Sequence, residues 1–277
     1  MGESTFSNNR ARYGGAFYLT SNAKLNTSYK EVLSGNTASY DGGAIYNNGI
    51  VNLRNVTLDG NIAGQGSGGG ISNFGSATLE AATLSGNSAS YGGGIANNTA
   101  TATLTMTNVT LSGNSAAATG GAIDTANSRA TLTNVTLSGN SARRGGGIFN
   151  SGGMVTLLNT LLAHGPNGAN CVNVTGSLIN FSLSDDISCS FGPGRDNLNL
   201  RLGPLANNGG SMLTHLPLPG SPAIDAGTND GAPYYDQRGV VRPRDGNGDG
   251  IARADVGAVE VQSTQERPKL YLPQVQR

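Results

Sequence analysis

The run Asp245-Gly246-Asn247-Gly248-Asp249-Gly250 places side-chain oxygens at alternate positions and ends on glycine. Ca²⁺ takes hard oxygen donors in this spacing, with the glycine supplying a sharp turn. On that reading Asp245, Asn247 and Asp249 give side-chain oxygens, Ile251 a backbone carbonyl and Asp255 the closing carboxylate. Asp255 comes one place early, because Val256 occupies the position where the closing group belongs. A structural Ca²⁺ and a metal-free Asp/Asn/Gly turn both fit these residues. The other reactive side chains are Cys171 and Cys189, the two cysteines of the chain. As a disulfide they would close a loop of about 19 residues and stabilise by ~3 kcal/mol; as thiols they would be buried. An extracellular setting favours the bond. Two cysteines do not complete a zinc site, and a nucleophilic thiol would need His164 or His215 beside it.

Other chemistry is thin. Hydrolysis of glycans needs two carboxylates at a defined separation, whereas Glu31, Asp41, Asp59, Glu80 and Asp124 are scattered. Arg129, Arg143 and Arg144 form a small basic cluster that reads as solvated surface. A threonine column at 5, 57, 83, 110 and 136 resembles a hydroxyl array for binding ice, but β-branched residues favour strands in any case. Asn-Val-Thr triplets match a glycosylation acceptor, yet they arise from an internal repeat. No catalytic residue is assigned.

The elements that would position these groups follow from that repeat. T-L-S-G-N recurs with drift, and its final asparagine falls at Asn9, Asn36, Asn61, Asn87, Asn114 and Asn140. A second phrase, G-G-A/G-I, follows each time, as at Gly43-Ala44-Ile45 and Gly121-Ala122-Ile123. The asparagine keeps a period of 25 to 27 residues, and the independent second marker follows it turn by turn. Between them apolar and polar residues alternate, as in Leu132, Val135 and Leu137 against Asn134 and Thr136. That is a strand pattern with one apolar face. Its interruption predicts a corner at Asn55, Asn108 and Asn134, since asparagine tolerates left-handed backbone.

Two solenoids have this period. Leu132 to Asn140 matches the L-x-x-V-x-L-x-x-N strand of a leucine-rich repeat, but that fold needs a helical back, and the glycine triplets here oppose helix. The sequence therefore predicts an all-β, right-handed parallel β-helix. One turn buries too few apolar groups to offset the ordering of its backbone, so turns fold only as a stack. Stacking at about 4.8 Å turns each sequence column into a ladder. Asn36, Asn61, Asn87, Asn114 and Asn140 are expected to form a structural ladder of bonded amides. A second would run through Asn47, Asn73, Asn97 and Asn150, interrupted at Thr125.

Composition agrees. The chain has 277 residues with 43 glycines, no tryptophan and 12% charged residues. Seventeen basic residues balance seventeen acidic ones, which leaves no field to attract nucleic acid. No apolar run approaches the ~20 residues of a transmembrane helix. The predicted organisation is β-helix repeats over 1–163, an irregular segment over 164–204, a C-terminal cap over 205–261 and a tail over 262–277, where Lys269-Leu270-Tyr271-Leu272-Pro273 is either a sorting peptide or a frayed end. The chain begins within a repeat, so further rungs of a parent chain and an export signal are expected upstream.

One resemblance is specific. Asn207-Asn208-Gly209-Gly210-Ser211-Met212-Leu213-Thr214-His215 precedes Pro219-Gly220-Ser221-Pro222-Ala223-Ile224-Asp225-Ala226-Gly227, then Asp236-Gln237-Arg238-Gly239 and Asp255-Val256-Gly257-Ala258-Val259-Glu260. This order resembles the C-terminal module of bacterial choice-of-anchor Q surface proteins. The repeats resemble those of polymorphic outer-membrane proteins and related β-helix adhesins. Together the likenesses span residues 4–261, with Val256 and Val259 as departures. They imply export and attachment to, or display on, a bacterial cell surface, with no known catalytic activity. The expected function is therefore a non-catalytic extracellular protein for adhesion or display, whose glycan or protein ligand is not named. The alternative is a polysaccharide-processing enzyme or glycan-binding module. Asn159-Thr160, His164-Gly165 and Asp185-Asp186 invite comparison with polygalacturonases, but their order differs and no R-x-K follows.

Overall fold

The structure, a computed structural model, describes residues 3–174 and 178–262. The tail beyond Gln262, with its Leu270-Tyr271-Leu272 segment, lies outside the described residues. Parallel strands build a solenoid of about seven turns, two of whose sheets contain seven strands each. No helix occurs among the described residues, which removes the leucine-rich alternative.

Each turn has three sides. The first carries the T-L-S strands, such as Thr83–Ser85 and Thr110–Ser112, paired in exact repeat register. The second carries the strands after the glycine pair, such as Ile71–Asn73 and Ile95–Asn97. The third carries Ser76–Glu80, Thr103–Thr107 and their counterparts. Leucine, isoleucine and valine from all three sides meet in one apolar core running from Leu19 to Phe191.

The repeated glycines have two separate jobs. Gly68 sits at φ +70°, in the left-handed region where a side chain is strained. At Gly69 a Cβ would lie 2.3 Å from the Gly93 carbonyl oxygen of the next turn, so there is no space for one. The predicted corners appear at Asn55, Asn108 and Asn134, with φ of 55°, 53° and 51°. Asn159 continues the column at 48°, and Ala81 occupies it at 49° without an amide.

The core closes on Cys171, Val174, Cys189 and Phe191, and Cys171 and Cys189 are disulfide-bonded across 18 positions. The segment expected to cap the stack lies along its flank instead. It begins with an antiparallel pair, Leu202–Ala206 with Thr214–Pro217, and bonds to the T-L-S side from Thr57 to Asn159. The physical reason is the demand for partners. That side carries outward hydroxyls and corner amides, and an irregular segment can offer them backbone groups.

Candidate functional site

The asparagine row is a closed hydrogen-bond system. Asn87 Nδ2 donates to Asn114 Oδ1 at 2.9 Å and to the Leu58 carbonyl at 2.9 Å. The Asn87 backbone N–H also donates to Asn114 Oδ1, at 3.0 Å. The same three bonds recur at Asn36, Asn61 and Asn114, and Asn140 ends the row on the Leu111 carbonyl. These amides are buried, so the bonds offset a desolvation cost that would otherwise unfold the turn. The second row runs Asn47 to Asn73 to Asn97 and breaks where expected: Asn97 turns to Ser128 Oγ, and Thr125 Oγ1 donates to Asn150 Oδ1. Both rows are consumed in holding the stack.

The threonine column, read from sequence as an outward array, is covered at Thr83, Thr110 and Thr136, while Thr5 stays exposed and Thr57 half-buried. Thr83 Oγ1 donates to the Leu213 carbonyl at 2.7 Å, Thr110 Oγ1 donates to Gln237 Oε1 at 2.6 Å, and Thr136 Oγ1 accepts the Ala258 N–H at 2.9 Å. The corner amides do the same work, Asn108 donating to the Tyr235 carbonyl and Asn134 to those of Asp255 and Gly257. His215 adds a further link. Its Nδ1 faces the Gly203 carbonyl at 2.8 Å, an acceptor, so Nδ1 carries the proton and Nε2 accepts from Ser112 Oγ at 2.9 Å. Burial pushes its pKa down and keeps the ring neutral.

Behind this seam lies a buried charge cluster. Arg242 Nε donates to Glu260 Oε2 at 2.8 Å with both side chains out of solvent. Asp236 takes Arg238 and accepts the Glu260 N–H. The Asp255 carboxylate accepts the N–H groups of Asp225 and Val261. Burial and the neighbouring Glu260 charge push Asp255 up to about 8, and burial also raises Glu260 against the pull of Arg242. The motif residues Asp236, Arg238, Asp255 and Glu260 thus fasten the C-terminal segment.

The predicted calcium donors divide. Asp245, Asn247 and Asp249 share one turn, but their oxygens accept the loop's own N–H groups, including Gly250 on Asp245 and Ile251 on Asp249. Asp255 is committed elsewhere, as just described. Among the described residues no three His, Cys, Asp or Glu side chains converge as metal ligands. His164 and Asp185 do meet, Nδ1 to Oδ2 at 2.8 Å, but Asp185 also accepts the His164 backbone N–H and the Asn170 amide. This carboxylate fixes a local turn. Arg129, Arg143 and Arg144 are exposed, with Arg144 resting 5.0 Å from the Phe149 ring.

Sequence reasoning missed the aromatic face. Tyr18 stacks on Tyr46 with centroids 5.0 Å apart and planes 1° apart, and Tyr46 meets Phe74 at 5.1 Å. Tyr13 stacks on Tyr40 at 5.5 Å, with the Arg12 guanidinium 5.2 Å from the Tyr40 ring. The signal was present: Tyr13 to Tyr40 is 27 residues, and Tyr18 to Tyr46 and Tyr46 to Phe74 are 28 each, close to the repeat.

The match to known families falls on these same units. Residues 3–20, 32–48 and 108–126 match the Chlamydia polymorphic membrane protein repeat. Each stretch starts at a T-L-S strand, crosses the asparagine row and ends after the glycine pair. These three stretches are similar to repeats of that type. No curated protein and no solved structure matches it.

Proposed function

We propose that this chain is a non-catalytic, adhesin-like β-helix displayed on a bacterial cell surface, with a C-terminal module of the choice-of-anchor Q kind. The observation that carries the reading is the match of its turns to the polymorphic membrane protein repeat, a family named for membrane proteins of Chlamydia. The disulfide supports an oxidising, extracytoplasmic setting. The repeated polar side chains support a rod over an enzyme, because the asparagine and threonine columns are spent on stacking and docking. A stiff stack with one flank braced leaves another flank for contact with a partner.

Two measurements test it. Antibodies against the solenoid should label intact bacteria that produce the protein. Beads coated with the purified chain should attach to host-cell monolayers above beads coated with an unrelated protein of equal charge. Label found only after lysis, or turnover of a polysaccharide by the purified chain, would overturn the reading.

A further inference from the structure

We propose that the aromatic face of the first three turns binds anionic glycans, with pyranose rings packing on its tyrosines and carboxylate or sulfate groups meeting Arg12 and Arg10. This deepens the adhesion reading and rests on it.

The face has the chemistry for such a ligand. Tyr18 is 56% exposed and Tyr40 39% exposed, so the stacked rings still present apolar edges and hydroxyls to solvent. The rings are held by one another, which lowers the ordering cost of binding. Arg12 lies against Tyr13 and Tyr40, its guanidinium 5.6 and 5.2 Å from their centroids. Arg10 opens the two-residue strand Arg10–Ala11, and Arg12 follows in the bend directly after it, both exposed. Neither is in an ion pair among the described residues. The nearby carboxylate, Asp41, is engaged by the Ser67 N–H at 2.7 Å.

Periodicity selects the partner. The rings recur once per turn, at about 4.8 Å, close to the advance of one pyranose along an extended polymer. A repeating anionic chain fits a repeating aromatic row with cations at one margin better than an irregular protein surface does. The face is also free of the C-terminal segment, whose hydrogen bonds to the solenoid fall on the T-L-S side.

The test is biolayer interferometry of the whole chain against polygalacturonate, heparin and neutral maltodextrin, with wild type, Tyr18→Ala and Arg12→Ala. At least one anionic polymer should bind in a salt-sensitive way and maltodextrin markedly less. Each variant should weaken binding by about tenfold with an unchanged melting temperature, and Arg12→Lys should restore part of the loss. Preference for polygalacturonate assigns a carboxylate ligand and preference for heparin a sulfate. Binding by neither polymer, or binding that both variants leave intact, overturns the proposal. Cell attachment without polysaccharide binding also overturns it, while leaving adhesion itself standing.

Discussion

Arg242 Nη1 donates to Asn108 Oδ1 across 3.0 Å, joining residues 134 positions apart. The same guanidinium holds Glu260, so a single side chain ties the flanking segment to a corner of the solenoid and neutralises its buried carboxylate. Replacing Arg242 by Met should cost about 3–5 kcal/mol, because Glu260 is left buried and unpaired. Limited proteolysis should then cut the region after Leu205 first, while far-UV circular dichroism keeps its strand signal. Loss of both together would mean that the solenoid needs this brace in order to fold.

The same cluster sets a pH dependence. Asp255 is raised to about 8 in the folded chain, well above the ~3.9 of a free aspartate. Its contribution is therefore complete below about pH 4 and is lost as the pH climbs toward about 8. Melting temperature should be lower at about pH 8.5 than at about pH 5, and Asp255→Asn should flatten that difference. An equal slope in the variant would place the titration elsewhere.

Within the asparagine row, position matters more than residue type. Asn87→Ala removes an amide bonded above and below, and should cost on the order of 2–4 kcal/mol through orphaned buried groups. Asn9→Ala, at an exposed end of the row, should cost under about 1 kcal/mol. Urea denaturation of both variants measures the contrast. Equal losses would show that the row does not act as a ladder.

Ala81 stands in a left-handed corner where its counterparts are asparagine. A side chain there costs roughly 1–2 kcal/mol, so Ala81→Gly should raise stability by about 1 kcal/mol despite the added chain freedom. A lower melting temperature in the variant would contradict the assigned strain.

The Asp245 turn is closed by its own N–H groups, with Asp255 engaged elsewhere. Treatment with a chelator should leave the melting temperature unchanged. A fall that calcium reverses and magnesium does not would show that the loop holds calcium.

The sequence made the solenoid legible because every turn must repeat the same contacts. Gly68 and Gly69, Asn87 and the corner at Asn108 each stand where backbone geometry admits few alternatives, and their columns announce them. The flank was less legible. Thr110 looks solvent-facing when only strand alternation is considered, and nothing periodic in Gln237 says that it will cover that hydroxyl. Asp255 lies near the calcium-like run in sequence, yet its carboxylate is claimed by Asp225 and Val261, a tertiary demand that loop spacing cannot reveal. The aromatic face was spelled out at repeat spacing but belongs to three turns only, too few to stand out against the glycine and asparagine columns.

A stack of near-identical coils has a hazard of its own: slipping by one full winding restores almost every bond it breaks. The braced flank removes that degeneracy, because Met212, Gln237 and Asp255 each meet a different winding, at Thr57, Thr110 and Asn134. It serves as a vernier scale laid beside a uniform thread, and only the correct winding count brings all three marks into line.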